Sequence, residues 1–247
     1  MKGPQIGSLS VMRSFSTTCG LLGMLAFYAV RATAQGQLAT PPYPAANLWM
    51  TYPVPWSPAD DTAPTIIRQQ RDQYFDGLIG LPSPITALNM KSTGFSEGVL
   101  IDRSEIPSVP DRSVVIATFI SYRPVLSRSG RSIYTEATLS LGSVFEDAGS
   151  NAPGSNIVLI LPGGTISTTR GVFSFLTQAR QYFIKPGSTY LLVMSFHRQG
   201  SFYMLAKDWD LTGGAVQRNF PTSKNAPSSL VGLTIQQLIA TLATQFK

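Results

Sequence analysis

Between residues 131 and 141 apolar and polar positions alternate strictly. Ile133, Ala137, Leu139 and Leu141, with Thr135 among them, fall on one side, and Tyr134, Glu136, Thr138 and Ser140 fall on the other. A period of two predicts a β-strand with one face on a core. Segment 112–122 (RSVVIATFISY) is apolar on both sides, as a strand covered twice would be. The intervening RPVLSRSG holds Pro124 and Gly130 and reads as a long hairpin loop. NIVLIL (156–161) is a continuous run closed by the turn Pro162-Gly163-Gly164, and TISTTRGVFSFL after it reads as strand or hairpin. TYLLVMSF (189–196) and FYMLAKDW (202–209) follow turns at 185–188 and 198–201, and Gly213-Gly214 precedes a short last strand, AVQ. Five or six strands with mostly short connections predict an antiparallel meander. Bare edges favour its closing, fully or partly, into a small β-barrel.

Two helices flank this region. Asp60, Asp61 and Thr62 offer caps, Pro64 suits a first turn, and Ile66, Ile67, Tyr74 and Phe75 suggest an apolar side, giving a helix near 64–76 that Gly77 stops. Near 234–246, Thr234 and Gln237 match a capping box. There Ile235, Leu238, Ile239, Leu242 and Phe246 form one stripe, suited to cover a barrel end or an open edge.

Ahead of the first helix, residues 35–62 carry six prolines together with Tyr43, Trp49, Tyr52 and Trp56. Proline at that density predicts an extended arm. Its rings suggest an arm laid against the domain, with recognition of a partner's aromatic groove as the other reading. Residues 1–34 read as a secretory signal: a basic start, the 12-residue apolar run Cys19–Val30, then Ala32-Thr33-Ala34 with cleavage between Ala34 and Gln35. The run is short of the roughly 20 residues a bilayer span needs, so no transmembrane segment is expected in the mature chain. Met12 is an alternative start. The expected organisation is signal 1–34, arm 35–62 and one β-rich domain 63–247, located in the periplasm or outside the cell.

Composition sharpens this picture. Charged residues make up 13% and hydrophobic ones 43% of the 247, which excludes wholesale disorder and a long solvated helix. Removing the signal removes Cys19, the one cysteine, so no disulfide or thiol chemistry is expected. It also removes Lys2, Arg13 and Arg31 and no acid, so the formal charge falls from +6 to +3. That is no nucleic-acid footprint, and no nucleic-acid partner is expected.

Residues Ile133-Tyr134-Thr135-Glu136, Leu161-Pro162-Gly163-Gly164, Phe183 ahead of Pro186-Gly187, and Tyr190-Leu191-Leu192-Val193 carry a resemblance. Over 112–216 the chain resembles a domain of uncharacterised secreted bacterial proteins. The resemblance implies an extracytoplasmic small β-barrel and assigns no site.

Candidate chemistry is sparse. His197, the one histidine, shares a strand face with Ser195, but two residues on one face lie about 7 Å apart, too far for a nucleophile–base contact, and no G-x-S-x-G elbow exists. Asp208 and Asp210 flank Trp209 and could hold a hard cation given further oxygen ligands; Glu146-Asp147 and Asp60-Asp61 are further doublets that read as turns or caps. Glu136, the lone charge on its strand, is the best glycosidase-type carboxylate, and an exposed or arginine-paired role is its plainer reading. Arg123, Arg128 and Arg131 cluster in one hairpin loop and, with Tyr122 and Tyr134 beside them, could contact an anionic polymer. Gly163-Gly164 and Gly171 lack the following helix a phosphate cradle requires. No catalytic residue, metal or cofactor is assigned. The expected function is a non-enzymatic binding or structural module, with a cell-envelope protein or glycan as partner. A secreted hydrolase whose carboxylates meet only in the fold, and a glycan- or anion-binding barrel, are the alternatives.

Overall fold

A computed structural model describes residues 50–79, 106–176, 184–218 and 228–246, all within one compact unit, Ala45–Lys247. The signal, its Ala34–Gln35 junction and the arm through Trp49 lie outside the described residues. In chain order the elements are β1 (Val54–Pro55), a 3-10 turn (Pro58–Asp60), α1 (Thr65–Ile79), β2 (Arg112–Leu126), β3 (Ile133–Asp147), β4 (Asn156–Thr168), β5 (Gly171–Leu176), β6 (Thr189–His197), β7 (Phe202–Asp210), β8 (Gln217–Arg218) and α2 (Ile235–Gln245).

The protein is mainly β. Strands β4, β3, β2, β6 and β7 pair in that order, antiparallel throughout, and a short parallel pairing of Leu159–Ile160 with Tyr203–Met204 closes the ring. Numbered by themselves these strands run 3-2-1-4-5 and back to 3, the connectivity of the five-stranded Greek-key barrels known as OB-folds. Closure removes the bare edges that a flat sheet would carry.

Alternation divides the apolar residues between two sides of the wall. Val115, Ala117 and Phe119 on β2, Leu139 on β3, Leu159 on β4 and Leu192 on β6 fill the interior together with Met50 from the arm. Each of the larger side chains contributes about 1.5–3 kcal/mol by leaving water. Val114 and Ile116, one residue out of phase, join Leu191, Val193 and Trp209 on the outside, where Leu238 and Leu242 of α2 cover them. The double burial expected of 112–122 is therefore present over Ser113–Ala117, whereas Ile120 and Ser121 are exposed. The α2 stripe, however, covers the outer wall rather than a barrel end or an edge. Its capping box forms: the Thr234 hydroxyl accepts from Gln237 N and the Gln237 side chain accepts from Thr234 N. Thr234→Ala is expected to lower stability by about 1 kcal/mol, read from urea unfolding.

Several boundaries move. β2 runs to Leu126, so Arg123 and Pro124 sit on a strand and the loop shrinks to 127–132. β6 pairs only with Arg112–Thr118, which leaves the later part of β2 without β6 on that side and able to hold a proline. β4 continues through Pro162-Gly163-Gly164 and leaves the barrel, pairing with β5 on one side and, in parallel, with β1 on the other. Trp56 is half-buried there against Ile133, Ile166, Phe173 and Phe175, whereas Tyr52 is exposed. α1 extends through Gly77 to Ile79.

Candidate ligand-binding face

Helix α1 lies on the outer wall of β2, β3, β4 and β7 and supplies the unexpected part of the site. Its buried positions are Arg68, Arg71, Asp72 and Phe75, spaced i, i+3, i+4, i+7 as one helix stripe. Of the apolar side expected from Ile66, Ile67, Tyr74 and Phe75, Phe75 is buried and Tyr74 packs beside it, whereas Ile66 is 63% exposed. Phe75 stacks on Tyr134 and packs with Val125, Ile160 and Phe202. Everything else on the stripe is charged.

Glu136 is the hub. Arg71 Nη1 donates to its Oε1 and Arg123 Nη2 to its Oε2, both at 2.7 Å. Arg71 also donates to Gly200 O and Ser201 O, at 2.8 Å each, clamping the β6–β7 turn. Arg68, 1% exposed, lies over the Tyr134 ring, with Nε 3.2 Å from both Asp61 Oδ2 and Asp72 Oδ1; Nη1 is 3.7 Å from Glu136. Its Nε and Nη1 make no aligned hydrogen bond, so charge rather than geometry holds them. On the other flank Asp72 accepts from Tyr134 OH and from Arg128 N, and Asp76 accepts from the hydroxyls of Ser127, Ser129 and Ser132. Three guanidiniums (Arg68, Arg71, Arg123) thus meet three carboxylates (Asp61, Asp72, Glu136), and α1 is tied to both neighbouring hairpin turns.

Burial pushes the Asp72 carboxyl above its ordinary value, with Arg68 the main opposing influence. A raised folded-state value means that this contribution is full at low pH and is lost as pH rises through it. Stability of the parent relative to Asp72→Asn is therefore expected to decline from about pH 4 upward, measured by urea unfolding across pH. Burial also raises the Tyr134 and Tyr203 phenols.

The face continues beyond α1. Cross-strand register arranges β2, β3 and β4 in three outward rows. The first, Arg123–Glu136–Ile160, lies against α1. The second is Ser121–Thr138–Val158 and the third Thr118–Ser140–Asn156. A bulge between Phe119 and Ser121 turns Ile120 outward, 53% exposed. A cavity of about 430 Å³ opens between the segment leading into α1 (Thr62–Pro64) with Ile67 and Arg71 of the helix on one side, and Ser121, Arg123, Glu136, Thr138 and Val158 on the other.

The other candidate residues fall elsewhere. Asp208 and Asp210 lie opposite Leu192 and Tyr190, whose side chains belong to the interior, so the β7 carboxylates and Glu136 face opposite sides of the wall. His197 stacks on Phe202 and meets Tyr74 edge-on; burial lowers its value, against the pull of the Asp111 carboxylate. Ser195 Oγ donates to Pro110 O. Arg128 is exposed with its Nε 3.9 Å from Asp72, and Arg131 N donates to Ser127 and Ser129; of the three arginines expected in one loop, Arg123 is the one bonded to Glu136. A second concavity, about 460 Å³, contains Glu146 and Asp147. Glu146 there pairs with Arg112 at 2.7 Å. Although burial acts to raise it, Asp147 is held below the ordinary range by hydrogen bonds from Ser113, Asn151 and Tyr203. Among the described residues no group of three His, Cys, Asp or Glu side chains could hold a metal, and no helix is long and apolar enough to cross a membrane.

Residues Arg68, Arg71, Asp72 and Asp76 were not candidates by sequence, and their signal was a helical stripe shared with Phe75. No family model, curated protein or solved structure matches the chain.

Proposed function

We propose that the protein is a non-enzymatic binding module that works outside the cytoplasm, its export directed by residues 1–34. The observation that carries the binding reading is the outer face of β2–β3–β4. Its buried carboxylate, Glu136, has both oxygens engaged by guanidiniums, and the β7 carboxylates face the other side of the wall, which argues against an acid–base pair across a cleft. In the two rows beside that hub Ser121 and Asn156 are exposed, and Thr118, Thr138, Ser140 and Val158 are half-buried. Barrels of this connectivity use the corresponding face and its adjoining loops for polymeric ligands; fold alone assigns no ligand. The apolar run and the Ala32-Thr33-Ala34 pattern support export.

A panel of glycoside, ester and peptide substrates incubated with purified protein is expected to show no turnover. Turnover lost in Glu136→Ala or His197→Ala would overturn the reading. Protein recovered from the periplasm or medium is expected to begin at Gln35, and retention of residues 1–34 would remove the export component.

A further inference from the structure

We infer that the open half of the β2–β3–β4 face binds the end of a short, neutral oligosaccharide. The inference rests on the binding-module reading and names its ligand class.

Charge comes first. The hub beside the groove pairs each of its guanidiniums with a carboxylate, so it offers an anionic polymer no uncompensated field. The second and third rows carry no charge at all: Ser121, Thr138 and Val158, then Thr118, Ser140 and Asn156. A ligand lying on them meets hydroxyl and amide groups able to donate and accept, the Thr118 hydroxyl being already shared with Thr189. Such groups match the hydroxyls of a sugar, and a polyphosphate or polysulfate would find no cationic partner on these rows.

The apolar surface is of the right kind as well. Ile120, turned outward by the bulge, and the half-buried Val158 lie among the hydroxyls, and Ile67 of α1 adds an apolar side chain to the cavity wall. Pyranose rings present C–H faces as well as hydroxyl edges, so a mixed surface of this composition complements both. The cavity of about 430 Å³ is within the usual size range of small-ligand sites.

Helix α1 then sets the mode of binding. It closes one end of the face, with Arg71, Glu136 and Arg123 as the end wall. A long chain cannot run straight along the strands past this wall. A terminus can seat in the cavity. At Glu136 each carboxylate oxygen accepts one guanidinium N–H and keeps a second lone pair for a terminal sugar hydroxyl.

The test is calorimetric titration of the mature protein with neutral tri- to hexasaccharides of β-linked glucose and N-acetylglucosamine, and separately with heparin, at low and high salt. Saturable binding of a neutral oligosaccharide that is insensitive to salt supports the inference. So does an affinity about five- to tenfold lower in Thr138→Val, with a further loss in Ile120→Asp, both variants melting as the parent does. An internal segment binding as well as a free chain end would overturn the end-on mode. No binding by any neutral oligosaccharide, or binding indifferent to both substitutions, would overturn the inference. Heparin bound with steep salt dependence and lost in Arg128→Ala would overturn it too, moving the site to the 127–132 loop and leaving the binding-module reading standing. Release of free sugar during the titrations would instead defeat that reading itself.

Discussion

Glu136→Ala is expected to destabilise the protein by about 3–5 kcal/mol, because it takes the carboxylate partner from the nearly buried guanidinium of Arg71 and from the surroundings of Arg68. Arg71 and Glu136 are each no more than 10% exposed at the side chain, and Arg68, 1% exposed, already has two nitrogens without aligned hydrogen bonds. Removing the carboxylate takes from Arg71 Nη1 its acceptor and from Arg123 one of its two carboxylates. The effect should concentrate on α1, since Arg71 also fixes the turn at Gly200 and Ser201. Replacing the pair together, as Arg71→Met with Glu136→Leu, should recover much of the loss, because an apolar pair of similar volume carries no desolvation penalty. Urea unfolding of the three proteins checks both statements. A loss below about 1 kcal/mol for Glu136→Ala would mean that the cluster behaves as a solvated surface pair.

This cluster also marks where the sequence was legible and where it was not. Strand β3 could be read because its apolar positions keep a period of two, and β2 because a run apolar on both sides marks a strand covered twice. The α2 helix and its buried face were legible, since a capping box and an apolar stripe agree on one helix and one face, but the outer wall that the face covers was not. The existence of α1 was legible but its orientation was not: hydrophobicity marks burial only where buried residues are apolar, and here Arg68, Arg71 and Asp72 occupy the covered stripe. Glu136 stood out as the lone charge on its strand, yet two of its three arginine neighbours come from 65 and 68 residues earlier in the chain, beyond any local pattern. Arg123 was assigned to a loop because Pro124 follows it, whereas the part of β2 beyond Thr118, unpaired with β6, tolerates proline.

The same limit governs Gly163 and Gly164, where Pro-Gly-Gly resembled the end of a strand. In the structure these glycines let one strand serve two sheets. Residues 156–162 pair with β3 in the barrel, and 163–168 pair with β1 and β5 outside it. The change of direction requires φ of +97° and +146°, backbone that a residue with a Cβ rarely adopts. At Gly164 space is also lacking: an added Cβ would lie 2.6 Å from Thr135 Oγ1 and 2.9 Å from Pro124 Cβ. Thr135 Oγ1 cannot swing aside without giving up its 2.7 Å bond to Gly163 O. Gly164→Ala is therefore expected to cost about 3 kcal/mol or more, combining strained backbone with overpacking. The damage should begin outside the barrel, in the cluster of Ile166, Phe173, Phe175 and Trp56. The Trp56 indole resonance should thus shift or broaden at denaturant levels that leave Trp209, packed under α2, unchanged. Gly154→Ala is the control, with φ of +86° but nothing within 4 Å of the added carbon, and should lose only the backbone part of about 1 kcal/mol. Equal losses at the two sites would mean that close packing at the β4 crossover contributes nothing, and that β4 could leave the barrel without a glycine at Gly164.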